Sequence, residues 1–138
     1  MANPRSKEAR KFYRCAGQRF VEAEVLQKAD HPTGAVYLAG YSIECALKSL
    51  ILAVVAPTDT QEVLHSFRGA RAHDYNWLRQ TYRLRGGASL PTTVIQDFTL
   101  VDTWSTDLRY EPATLHEHEA KAFLDAAGRL IQWAKGRL

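Results

Sequence analysis

Residues 35–56 read AVYLAGYSIECALKSLILAVVA. The run is almost continuously apolar, yet Glu44 and Lys48 stand near its middle. A carboxylate and an ammonium four residues apart share one helical face. The remaining Leu, Ile, Val and Ala suit a helix buried nearly all round. This describes the central helix of a small helical domain with one polar stripe. Two partners for Glu44 fit that stripe. One is Lys48 on the next turn. The other is an arginine brought in from elsewhere, such as Arg109 or one from a symmetry-related chain. A buried carboxylate needs one of them.

The run is also long enough to cross a bilayer. Glu44 and Lys48 at its centre would each cost roughly 2.5–3.5 kcal/mol there. The charged N-terminus has no apolar run behind it, so no secretory leader is expected. A soluble cytoplasmic protein is the expectation.

Flanking segments extend the helical pattern. Ser6 can cap a helix to Ala29, with Phe12, Ala16, Phe20, Ala23 and Leu26 at helical spacing. Asp30-His31-Pro32 breaks it, and Thr33 can cap the central helix, which runs until Pro57. Gly40 inside that helix lowers helix propensity and suggests close approach by another backbone. Gln61 to Phe67 is a short helical piece. Asp74 is placed to cap a helix over Tyr75 to Arg83, ended by Gly86-Gly87. Thr92 or Thr93 begins the next helix, although the β-branched run Thr92 to Ile95 also suits an extended strand. Trp104 to Pro112 is a connector. Thr114-Leu-His-Glu117 fits a capping box opening the last helix. No repeat, glycine-rich phosphate loop or alternating strand pattern interrupts this. The expected fold is all-α, an up-and-down bundle of four to five helices in a single domain over 1–138.

Composition agrees: 46% hydrophobic and 24% charged residues are enough for a packed core and argue against disorder. The net charge of +3 permits an acidic partner without requiring one. Two basic clusters stand out: Arg5, Lys7, Arg10, Lys11 and Arg14, then Arg68, Arg71, Arg79, Arg83 and Arg85. Either is a solvated helix face or a surface for phosphates. The second interleaves with Tyr75, Trp77 and Tyr82, which favours nucleic acid, because arginine and aromatic rings stack on bases. Cys15 and Cys45 lack metal-ligand spacing and read as buried free thiols. His116 and His118, two apart, would point in different directions on a helix, so no metal site is expected.

One pair carries chemistry. Arg109 lies in the connector and His116 in the first turn of the last helix. A helix start offers free N–H groups and a positive dipole end to an anion. That field disfavours imidazolium, leaving His116 able to accept a proton. Arg109 would neutralise charge on a phosphate oxygen. Together they suit attack of an RNA 2′-hydroxyl on the adjacent phosphate without a metal. Arg68 and His73, five apart, form a similar pair. Its plainer reading has His73 and Asp74 opening a helix beside Trp77.

The segment with Glu44-Cys45-Ala46-Leu47-Lys48 resembles the second helix of HEPN domains, the higher eukaryotes and prokaryotes nucleotide-binding family. The HDYNWL element at 73–78 is similar to their His-Asp-Leu element, with Tyr75 replacing the first Leu. LRYEP at 108–112 resembles their Arg-Tyr-Pro element, with Glu111 inserted. The resemblance spans roughly Phe12 to Leu130. It implies a helical bundle, usually a homodimer, that binds RNA or nucleotide. Many such domains are metal-independent endoribonuclease toxins with an Arg-x4–6-His motif, restrained by a nucleotidyltransferase-like antitoxin. Others are non-catalytic modules beside a nucleotidyltransferase. The motif spacing is met by Arg109 and His116, and also by Arg68 and His73. The residues following each member depart from the active pattern: Arg109-Tyr110 stands where Arg-Asn is usual, and His116-Glu117-His118 where His-x-Tyr is usual. On the catalytic alternative His116 is the base, Arg109 stabilises the transition state and Glu44 orients Arg109. Arg68, Arg71, His73, Lys48 and Tyr110 are the expected binding residues. No cofactor is expected. A purely structural bundle remains the third alternative.

Overall fold

The computed structural model describes residues 6–112 and 114–138. Arg5 of the first basic cluster lies outside the described residues. Six α-helices are present among them: α1 Lys7–Lys28, α2 Pro32–Val54, α3 Thr60–Ser66, α4 Tyr75–Leu84, α5 Thr92–Val101 and α6 Glu117–Lys135. Short 3-10 turns occupy Pro57–Asp59, Ala70–His73 and Thr106–Tyr110. The count exceeds the expected four to five, because the short piece α3 stands as a helix of its own. The β-branched run at Thr92 is helical.

The ends of α1 and α4 follow the sequence. Ser6 Oγ accepts from the Ala9 backbone N–H at 3.2 Å, and Asp74 Oδ1 accepts from that of Asn76 at 2.8 Å. The starts of α2 and α6 do not. Pro32 opens α2, where its missing N–H costs nothing and its fixed φ fits the first turn. Thr33 is left free for another bond: its Oγ1 accepts from Leu115 N at 2.8 Å, pinning the approach of α6 to the base of α2. The last helix starts at Glu117 rather than Thr114. His116 is its N-cap residue, and Glu119, not Glu117, reaches back to accept from His116 N at 2.9 Å.

At the centre lies α2, with most of its length buried. It packs against α1, α4, α6 and the Thr106–Tyr110 turn, while α5 packs on α6. Ala9, Ala16 and Ala23 are fully buried at seven-residue spacing on α1. Small residues there let the two helix backbones come close, and Ser49 Oγ of α2 donates to Ala9 O at 2.8 Å. Ile43, Leu47, Leu50, Ile51, Phe98, Leu124 and Leu130 form the core between α2, α5 and α6. Burial of this kind contributes about 25 cal/mol per Å² of apolar surface removed from water. The helix is long and apolar enough for a membrane span, but 78% of its apolar window is buried inside the fold, as in a core helix.

Gly40 is buried, and the group crowding it is a side chain rather than a second backbone. The indole of Trp104 lies flat enough on α2 that a Cβ at Gly40 would overlap its Nε1. Trp104 in turn stacks on Tyr75, with ring centroids 5.4 Å apart and planes 8° from parallel. Tyr75 donates its hydroxyl proton to Gly40 O at 2.8 Å. Glycine 40 therefore lets the start of the connector and the start of α4 sit on the same turn of α2.

Candidate nucleotide-binding face

The polar stripe of α2 begins with Glu44. Its side chain is 5% exposed and both oxygens are engaged. Oε2 accepts from Lys48 Nζ at 2.7 Å, and Oε1 lies 2.9 Å from His73 Nδ1. Lys48 is equally buried, with its ammonium 5.2 Å from the Phe67 ring centroid and 5.9 Å from that of Phe12. Two phenyl faces and one carboxylate replace the water that the ammonium lost. Of the two expected partners, Lys48 is the one found. Arg109 makes no contact with Glu44 among the described residues. His73 supplies the second contact. It leans onto α2 from the turn Ala70–His73, which runs directly into Asp74, the N-cap of α4.

One turn toward the start of α2, Tyr41 and Tyr37 continue the stripe. Their hydroxyls are 3.3 Å apart and their rings meet edge to face at 5.2 Å. The Tyr41 ring also meets Trp104 at 5.1 Å and His73 at 6.1 Å. Burial first, and then the Tyr37 hydroxyl, push the Tyr41 phenol up to about 12. Burial holds the Tyr75 phenol well above its ordinary value.

Arg109 sits at the outer end of this run, fully exposed on the turn Thr106–Tyr110. Its guanidinium lies 4.8 Å from the Tyr110 ring centroid. The Tyr110 and Tyr37 hydroxyls raise its pKa above the ordinary arginine value. No carboxylate pairs with it among the described residues, and Tyr110 is 72% exposed. His116, also exposed, does not meet Arg109 in any hydrogen bond or ring contact among the described residues. Its ring stacks on His118 instead, with centroids 5.6 Å apart and planes 9° from parallel. The expectation that these histidines diverge fails because His116 is not in the helix. As the N-cap it has extended backbone, φ −74° and ψ 153°, which turns its ring toward His118.

The second basic cluster divides. Arg79 pairs with Asp102 at 3.2 Å and Arg85 with Glu62 at 2.7 Å, so these two tie helices together. Arg68 and Arg71 are exposed and have no carboxylate partner among the described residues. Arg71 lies over the Trp77 ring at 5.0 Å. Neither cysteine is fully buried, and both are free. Desolvation, followed by the charge of Glu44, pushes the Cys45 thiol up to about 12. Among the described residues no three His, Cys, Asp or Glu side chains gather where a metal ion would fit.

Of the residues expected to form one site, Glu44, Lys48 and His73 come together in the interior. Arg109 and Tyr110 gather at the surface end of the same stripe. His116 stands apart, and Arg68 and Arg71 lie exposed, Arg71 on the same turn as His73. Sequence reading passed over Tyr37 and Tyr41. Their spacing from Glu44 and Lys48, in steps of four, three and four, marks them as members of the same face.

A model of the HEPN domain family matches residues 9–137, nearly the whole chain. No curated protein and no solved structure matches the chain. The chain belongs to the HEPN domain family, all-helical domains with a nucleotide- or RNA-related role.

Proposed function

We propose that this chain binds a single-stranded RNA segment or a nucleotide on the face carrying Arg109, Tyr110, Tyr37 and Tyr41. The observation that supports this most is Arg109. It is an exposed guanidinium with no carboxylate partner among the described residues, set between two tyrosines on the surface end of an aromatic run. A phosphate pairs with the guanidinium fork, and a base stacks on the exposed Tyr110 ring. Arg68 and Arg71 supply further phosphate contacts beyond His73.

Binding without cleavage fits the geometry better than catalysis. Glu44, the residue expected to orient Arg109, is engaged by Lys48 and His73 instead. His116 and Arg109 do not meet within one chain. On this reading the chain acts in the cytoplasm as a homodimer, which doubles the face, beside a nucleotidyltransferase-like partner.

Fluorescence anisotropy with a labelled oligouridylate tests the reading. Arg109→Ala and Tyr110→Ala are each expected to weaken binding about tenfold without loss of helicity. Unchanged affinity in both would remove this face as the site. The same RNA incubated with protein in EDTA tests cleavage. Release of 2′,3′-cyclic phosphate ends that His116→Ala abolishes would reinstate the metal-independent endoribonuclease. Light scattering at micromolar concentration checks the dimer: a mass of one chain removes it.

A further inference from the structure

Beside the aromatic run lies an open cleft of about 520 Å³ between the start of α4 and the residues that follow α5. His73, Asp74, Asn76, Arg79, Asp102 and Ser105 are among its lining residues. Most of these are already committed. Arg79 donates to both Asp102 oxygens, at 3.2 and 3.3 Å, and to Asn76 Oδ1 at 3.1 Å. Asp74 caps α4, and Ser105 Oγ accepts from Asp107 N at 3.2 Å. His73 differs. Its side chain is 39% exposed, and only Nδ1 is engaged.

The Glu44 contact fixes which proton His73 carries. Glu44 forms an ion pair with the Lys48 ammonium, and its carboxylate has only lone pairs to offer. The Nδ1 atom must therefore be the donor. In the neutral ring this leaves the lone pair on Nε2. No hydrogen bond engages Nε2 among the described residues, and the side chain that carries it is part-exposed. A buried ion pair thus orients an imidazole whose free nitrogen accepts hydrogen bonds.

We propose that His73 Nε2 accepts a hydrogen bond from the 2′-hydroxyl of a ribose seated in this cleft, so that the chain prefers RNA to DNA. The inference rests on the RNA-binding reading given above, and adds to it the feature that selects the sugar. A hydroxyl suits the site better than a second phosphate, because the Arg79 cation on the cleft wall is already matched by Asp102, and Asp74 adds a further negative charge. The phosphates instead meet Arg71 and Arg68, which precede His73 in the chain, are exposed and carry no carboxylate partner among the described residues. The 2′-hydroxyl is the group by which a protein distinguishes the two nucleic acids at a given nucleotide. Glu44 acts as a positioning residue, fixing the tautomer and ring orientation as a carboxylate does for a metal-bound histidine.

Three labelled probes of one sequence test this with the full chain: an oligouridylate, its 2′-deoxy form and its 2′-O-methyl form. The 2′-O-methyl form keeps the RNA sugar pucker but cannot donate. Wild type is expected to bind the oligouridylate about tenfold more tightly than either of the others. In His73→Ala that ratio falls to about one, with Glu44 still paired to Lys48 and circular dichroism unchanged. His73→Gln, which returns a carbonyl oxygen to the reach of Nε2, recovers part of it. Arg109→Ala weakens all three probes alike and keeps the ratio. Equal binding of the three probes by wild type, or an undiminished ratio in His73→Ala, overturns the role of His73 and leaves RNA binding standing. Failure of all three probes to bind removes both readings. Nitrogen shifts of the His73 ring at mildly alkaline pH give a ligand-free check: a proton on Nε2 rather than Nδ1 overturns the proposal.

Discussion

The middle of α2 and the connector before α6 carry the same kinds of side chain, yet the fold treats them oppositely. Glu44 and Lys48 lie in the interior with every charged atom matched, by each other, by His73 and by two phenyl rings. Arg109 and Tyr110 are exposed, with no acidic partner among the described residues. A buried charge must find its partner inside the fold, because leaving it bare costs several kcal/mol. An exposed one bears no such penalty and stays available to a ligand. The difference separates groups that shape the site from groups that meet what binds there.

Breaking the interior pair should have the largest effect. Lys48→Met leaves Glu44 without its ammonium and is expected to cost about 3–5 kcal/mol in urea unfolding. Changing Glu44 to Met as well should recover most of that loss, since no bare charge remains. If the single change is as mild as a surface substitution, the interior of α2 is wetter than the geometry implies.

The contact that joins the two regions comes next. Gly40→Ala drives a methyl group into the Trp104 indole and should cost about 1–3 kcal/mol. Tryptophan fluorescence would report the displaced ring. An unshifted spectrum with full stability would mean that Trp104 moves aside freely.

A smaller effect is expected where the connector ends. Thr33→Val removes the acceptor of Leu115 N and should cost about 1 kcal/mol, read as a lower urea midpoint. No change would mean that water replaces the hydroxyl.

Arg109→Ala should alter stability by less than about 0.5 kcal/mol. It should lower the salt dependence of RNA binding by about one phosphate contact. Read together, the four variants order the molecule from its matched interior to its free surface. A large stability loss in Arg109→Ala would collapse the distinction between the two regions.

Much of the fold is readable from residue pattern. The apolar run at 35–56 marks a core helix, and Ser6 and Asp74 mark helix starts, because a cap hydrogen bond is local. Thr33 and Thr114 mislead for the complementary reason. Pro32 already suits the first turn of α2, so the Thr33 hydroxyl is released to a residue 82 positions away. Thr114 and Glu117 suggest a capping box, but the cap is His116, and Glu119 is the acidic residue in register with it. The gathering of the site was less legible. Spacing pairs Arg109 with His116 and offers Arg109 to Glu44, whereas the chain delivers His73 to Glu44 across 29 positions.

Sequence alone determined the helical class, the central helix, the polar stripe on it and the family resemblance. Each rests on spacing along a single helix or on a local motif, so neighbours in sequence suffice to reveal it. The tertiary structure decided which distant groups complete the Glu44–Lys48 pair, where Trp104 sits on Gly40, and which arginines among the described residues lack a carboxylate partner. Those outcomes depend on how helices from different parts of the chain close on α2. Burial then requires every enclosed charge to be matched by whatever the packing brings near.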